Sequence, residues 1–221
     1  MKKVLVSLVV VGAVGCFTIT GTYAVLNTET HNARGSIASG TLTFSDKVNA
    51  ATACLTINGP ASPGNVNSTC DPLFTNSTLM YPGTAATVHV TIANTGSIDG
   101  SALSVYMPSC TMVTSPSAPS PGGGNPCSAG GAMIYIDESN STFTTHSCVF
   151  PTSGGPCAPT ANTMAYLSGV ANTTATAYSL GTGPAAGASR YFIIGMELPT
   201  TASNTLQGEE ALFDLTWHLT T

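Results

Sequence analysis

Phe213-Asp214-Leu215-Thr216-Trp217-His218-Leu219 is the stretch from which the fold is read. Its apolar residues, Phe213, Leu215, Trp217 and Leu219, fall on every second position, with Asp214, Thr216 and His218 between them. Successive strand side chains point to opposite faces, so this pattern describes an antiparallel strand with one face buried and one in water. Its phase with three other large apolar residues assigns Trp217 to the core rather than to a sugar-stacking surface. Working back along the chain, the same period recurs. Val88, Val90 and Ile92 alternate with Thr87, His89 and Thr91; Leu103 and Val105 are in phase within Ser101–Met107; Leu42 and Phe44 end the run Ile37–Phe44. Met133–Asp137, Ala175–Leu180 and Tyr191–Leu198 are further strand candidates, and no segment carries a long amphipathic helical pattern.

Turn signals separate these runs at short intervals: Tyr81-Pro82-Gly83, Asn94-Thr95-Gly96, Gly181-Thr182-Gly183-Pro184 and Leu198-Pro199. Many short strands with Gly, Pro and Asn between them predict an all-β fold, an antiparallel β-sandwich or jelly roll. Ser115–Gly131 is the most loop-like stretch and is expected to be an excursion from one sandwich. Gly96-Ser97-Ile98-Asp99-Gly100 lacks the spacing of a nucleophile elbow and reads as a hairpin turn, Asn94, Gly96 and Gly100 supplying special backbone geometry.

The N-terminus reads as an export signal. Lys2 and Lys3 precede an uncharged apolar run, Val4–Val14, and Thr22-Tyr23-Ala24 supplies small residues where a signal peptidase looks. Cleavage between Ala24 and Val25 is therefore expected, residues 1–24 being the signal peptide. Gly15, Thr18, Thr20 and Gly21 dilute the run that a retained anchor needs, and Ala13-Val14-Gly15-Cys16 is a poor lipidation sequence. Six cysteines remain beyond Cys16, an even number in an exported chain, which points to disulfides. Many pairings are possible; the simplest joins sequence neighbours, Cys54–Cys70, Cys110–Cys127 and Cys148–Cys157. No C-x-x-C spacing suggests a metal site instead.

Charge excludes several functions. Only 7% of residues are charged, against about a quarter in ordinary domains. After the signal, Arg34, Lys47 and Arg190 face ten acids, so no basic patch exists for nucleic acid or an anionic membrane. Sequons stand at Asn67, Asn76, Asn140 and Asn172, candidate N-glycosylation sites on a surface kept wet by Asn, Ser and Thr. His31, His89, His146 and His218 are scattered, and none is followed by Glu as in H-E-x-x-H. Asp137-Glu138 and Glu209-Glu210 are adjacent pairs that a strand splits between two faces, which makes solvated turn ends the expected reading. No catalytic residue, metal site or cofactor is expected, and an enzyme is not.

Gly21–Thr30 (GTYAVLNTET) followed by Ala38-Ser39-Gly40-Thr41-Leu42 resembles the start of the TasA/camelysin family, where a "GTYA"-like element precedes an "ASGTL" strand. Tyr81-Pro82-Gly83 with Val88–Gly96 is similar to the family's "PG…NTG" hairpin, and Ser203–Gly208 before Phe213–Leu219 to its "N-x-x-QG" turn and closing strand. The resemblance implies a jelly-roll domain, here residues 36–221, processing by a SipW-type signal peptidase, and an extended N-terminal donor segment, residues 25–35. It further implies a secreted homopolymer, as in bacterial matrix fibres and related archaeal pili. Each subunit's Val25, Leu26, Asn27, Thr28, Glu29, Thr30, His31, Asn32, Ala33 and Arg34 would add a strand to its neighbour. The three candidate disulfides and the Ser115–Gly131 loop are not part of that family's pattern. Two other expectations stand beside this one: a monomeric adhesive sandwich on the cell surface, and a camelysin-like metallopeptidase.

Overall fold

In a computed structural model of the chain, residues 40–56, 70–75, 82–114, 122–151, 154–158 and 160–221 are described. Among the described residues nine strands form two antiparallel sheets. They are β1 (Phe44–Val48), β2 (Cys54–Leu55), β3 (Ala86–Asn94), β4 (Ala102–Thr114), β5 (Met133–Ser139), β6 (His146–Phe150), β7 (Tyr178–Ser179), β8 (Ser189–Glu197) and β9 (Glu209–Thr220). A six-stranded sheet has the order β2-β1-β3-β8-β5-β6, and a three-stranded sheet the order β7-β4-β9. A single α-helix among the described residues, α1 (Thr163–Gly169), lies between β7 and the end of β6 in sequence.

The alternation seen in the sequence is what packs the sheets. Val88, Val90 and Ile92 of β3, Leu103, Val105 and Met107 of β4, Ile134 and Ile136 of β5, Phe192 and Ile194 of β8, and Trp217 and Leu219 of β9 form one buried cluster. The Trp217 ring lies against Phe192 of the opposite sheet, centroids 5.0 Å apart. At the other margin Tyr178 of β7 meets Phe150 of β6 edge-on at 4.8 Å, and its hydroxyl donates to the Pro151 carbonyl. With β7 over β6 and Trp217 of β9 against Phe192 of β8, the described strands of the smaller sheet reach as far as β8, and β3, β1 and β2 extend beyond them.

The pairings are nested: β5 pairs with β6, β4 with β7, and β3 with β8. A long hairpin rolled into two sheets produces this order, which is the jelly-roll wind. Three regions depart from the periodicity. Of the strand expected at Ile37–Phe44, residues 37–39 lie outside the described residues and 40–43 are not in a strand; β1 begins at Phe44, and Thr41 and Thr43 hold the connection after β3 through their carbonyls. Ala175–Leu180 contributes only two strand residues. α1 carries too few apolar positions to show a helical period; Met164 and Leu167 are its buried ones, and Thr163 Oγ1 accepts from the Ile134 amide of β5.

Glycines 96 and 100 do not take left-handed backbone, contrary to the turn geometry expected of them. They are required by closeness. A Cβ on Gly96 would lie 2.2 Å from the Thr41 carbonyl oxygen, and one on Gly100 2.6 Å from a Leu219 methyl. The segment carries the chain from one sheet to the other, with Asn94, 1% exposed, donating to Ile98 and Pro184 carbonyls and accepting from Gly96.

Candidate assembly edge

β9 is the edge strand at which the jelly-roll wind stops short. The next outer nested pair would join β9 to whatever precedes β3. In this chain β1 and β2 precede β3, but β1 pairs with β3 itself, Phe44 opposite Asn94 and Val48 opposite Val90. Among the described residues no strand pairs with the outer side of β9.

The direction of the free groups follows from β4. The Leu103 amide donates to Gly181 and its carbonyl accepts from Leu180, so its backbone points toward β7. Its register partner Leu219 therefore points its own N–H and C=O away from β4. The irregularity between Tyr106 and Ser109 adds its extra residue to β4, leaving β9 continuous. Leu219, Trp217, Leu215 and Phe213 thus all present backbone groups to the open edge, and their side chains line the inner face. That face opens toward Phe213: Trp217 and Leu219 are buried, whereas Leu215 and Phe213 are half-buried, as are Leu42, Phe44, Leu73 and Phe74 packed beside the same core.

Two polar atoms within this region are buried without a hydrogen-bond partner, Asp46 Oδ1 and Trp217 Nε1. Asp46 shares the inward face of β1 with Phe44 and Val48, its register partners being Ile92 on β3 and Cys54 on β2. Burial raises its pKa to about 6. An unpartnered carboxylate and an unpartnered indole N–H are each costly inside a core.

The remaining candidate residues fall as follows. Val25 to Arg34 and the Ala24–Val25 junction lie outside the described residues, as do Asn67 and Asn76. Cysteines 54 and 70, 110 and 127, and 148 and 157 are joined as disulfides. Asn140 is exposed, but its Nδ2 donates to the Thr144 and Thr145 hydroxyls inside its own loop. Asn172 Nδ2 donates to the Ser168 and Gly169 carbonyls at the end of α1. Both sequon nitrogens are thus engaged in the folded domain.

The acidic pairs are not simple solvated turn ends. Asp137 is 2% exposed; its carboxylate accepts from the Cys157 amide and meets His146 Nδ1 at 3.0 Å. The loop closed by Cys148–Cys157 covers it. Glu138 grips Arg190 through two bonds of 2.7 Å, and Arg190 also donates to the Leu180 and Thr182 carbonyls, tying the sheets together at one end. Glu209 accepts from the Gly123 amide, anchoring the long loop to the start of β9. These contacts join residues far apart in sequence, and no local pattern signals them.

Asp137, Cys148 and Cys157 bring three potential metal donors within 4.8 Å, but both sulfurs are consumed by their disulfide, and a metal needs thiolates. No helix of the described residues is long and apolar enough to cross a membrane. Three disulfides fit a domain that folds in an oxidising compartment. No protein-family profile and no curated protein matches the chain.

Proposed function

We propose that this protein is the secreted structural subunit of an extracellular filament, and that its N-terminal segment, residues 25–34, adds a strand beside β9 of the next copy. The observation that carries the reading is the place next to β9: among the described residues three nested pairs are complete and the fourth has no partner strand. An edge strand with free backbone groups above a half-covered apolar face is a template for strand addition. A donor that leaves its own domain makes a head-to-tail contact, which propagates as a fibre rather than closing. The low charge of the chain reduces repulsion between copies. The resemblance to the TasA/camelysin family points the same way, as do the export signal and the disulfides. On this reading the protein has no catalytic activity and needs no cofactor.

Mature protein beginning at Val25 is expected to form filaments seen by electron microscopy and sedimentation. Removing Val25–Arg34 is expected to leave a folded monomer, since the packed strands begin at Phe44. A deletion variant that still polymerises defeats the donor-segment mechanism. An intact mature protein that stays monomeric favours the adhesive-domain reading instead.

A further inference from the structure

Asp46 is poorly explained by the fold of a single subunit. A carboxylate on the inward face of a strand, between Phe44 and Val48, has no partner for Oδ1, yet an Asn or Thr there would spare the domain a buried charge. It lies on β1, in the part of the larger sheet that extends past β8 and that no described strand of the smaller sheet covers. The described domain is also acidic: against Asp46, Asp71, Asp99, Asp137, Glu138, Glu197, Glu209, Glu210 and Asp214 stand only Lys47 and Arg190 as full cations. Arg190 is consumed by Glu138, and Lys47 is exposed on the opposite face of β1. The domain has no cation of its own to give Asp46.

The N-terminal segment has one. Laid out as a strand, it offers two faces. Val25, Asn27, Glu29, His31 and Ala33 share one, which carries an acid; Leu26, Thr28, Thr30, Asn32 and Arg34 share the other, which carries none. The acid-free face brings no second carboxylate to a place that already holds one, and it ends on a guanidinium, always charged and rich in donors. Resting on the filament reading above, we propose that Asp46 is the docking carboxylate of the assembly groove and receives Arg34 of the neighbouring copy. The orphaned Trp217 N–H gains an acceptor from the same strand, whose Thr28, Thr30 and Asn32 all carry side-chain oxygens. An apolar groove alone accepts any greasy strand; a buried carboxylate selects register and partner, because a misplaced segment leaves the charge unpaired.

The test is a double-mutant cycle on the mature protein, reading the critical concentration for filament formation by sedimentation. Asp46→Asn and Arg34→Gln are each expected to raise it about thirtyfold or more, as loss of one partner of a buried charge pair does. The double variant is expected to be no worse than the poorer single one. Arg34→Gln changes no residue of the described domain, so its effect is read even where Asp46→Asn disturbs folding. Filaments that form with unchanged critical concentration in either variant, or effects that simply add, overturn the Asp46–Arg34 pairing while leaving strand addition intact. So does a cycle in which His31→Gln, and not Arg34→Gln, couples to Asp46. A mature protein that forms no filaments overturns the filament reading, and this pairing with it.

Discussion

Trp217 and Asp46 show the two ways a residue's role is or is not legible from sequence. Trp217 declares itself, because its phase with Phe213, Leu215 and Leu219 puts it on the inner face, where it is 7% exposed. Trp217→Ala is expected to destabilise the domain by about 3–5 kcal/mol, read from chemical denaturation. A variant that keeps its stability and loses only a surface ligand would show Trp217 to be a binding residue. Asp46 hides, since no apolar period runs through Ser45-Asp46-Lys47 and its burial depends on pairing with β3, forty-odd residues downstream. Its pKa, raised by burial from 3.8 to about 6, makes a signed prediction. Below pH 3.8 the folded and unfolded states both hold the proton; between 3.8 and about 6 the unfolded state gives it up while the folded state keeps it, so stability falls across that window and is level above it. Relative to Asp46→Asn, unassembled protein is therefore expected to lose about 2–3 kcal/mol between pH 4 and 7. A flat difference between the two melting curves across that range removes the buried-charge account.

β3 and β9 were legible because one-faced burial writes itself into a period of two, and β5 and β8 as short apolar runs between turn signals, β5 being buried on both faces. β6 was not: only Cys148 and Phe150 are buried, and its identity comes from pairing with β5 and from the Cys148–Cys157 bridge. Reducing that bridge, or replacing both cysteines by Ser, is expected to cost about 2–3 kcal/mol and to expose Asp137, with a matching fall in thermal midpoint. An unchanged midpoint would mean that the loop holds itself in place. β8 has an equally non-local requirement at Gly195, which pairs with Tyr135 of β5. A Cβ there would lie 2.0 Å from the Tyr135 ring, so the ring rests on the bare backbone, an arrangement known from other sheets as rescue of a strand glycine. Gly195→Ala is expected to lower stability by about 1–3 kcal/mol through displacement of Tyr135, visible as a change in near-ultraviolet circular dichroism. A neutral substitution would mean that the ring swings aside freely.

At the scale of the whole molecule, the sandwich was legible, but which strand stands at the edge of the described residues was not. Strand patterns give faces but not neighbours, and whether β1 sits beside β3 or beside β9 leaves no trace in alternation. The choice of β3 is what leaves β9 open, with its backbone groups at Phe213, Leu215, Trp217 and Leu219 turned outward. On the strand-addition reading, the acidic, cation-poor domain and the cationic end of the N-terminal segment belong to one proposed contact. The most direct test is residue-resolved hydrogen exchange of the β9 amides in the unassembled and the filamentous protein. The account predicts that the amides of Phe213, Leu215, Trp217 and Leu219 exchange readily in the monomer and become protected in the filament, while those facing β4 are protected in both. Filaments in which these four amides still exchange as in the monomer would contradict strand addition at β9.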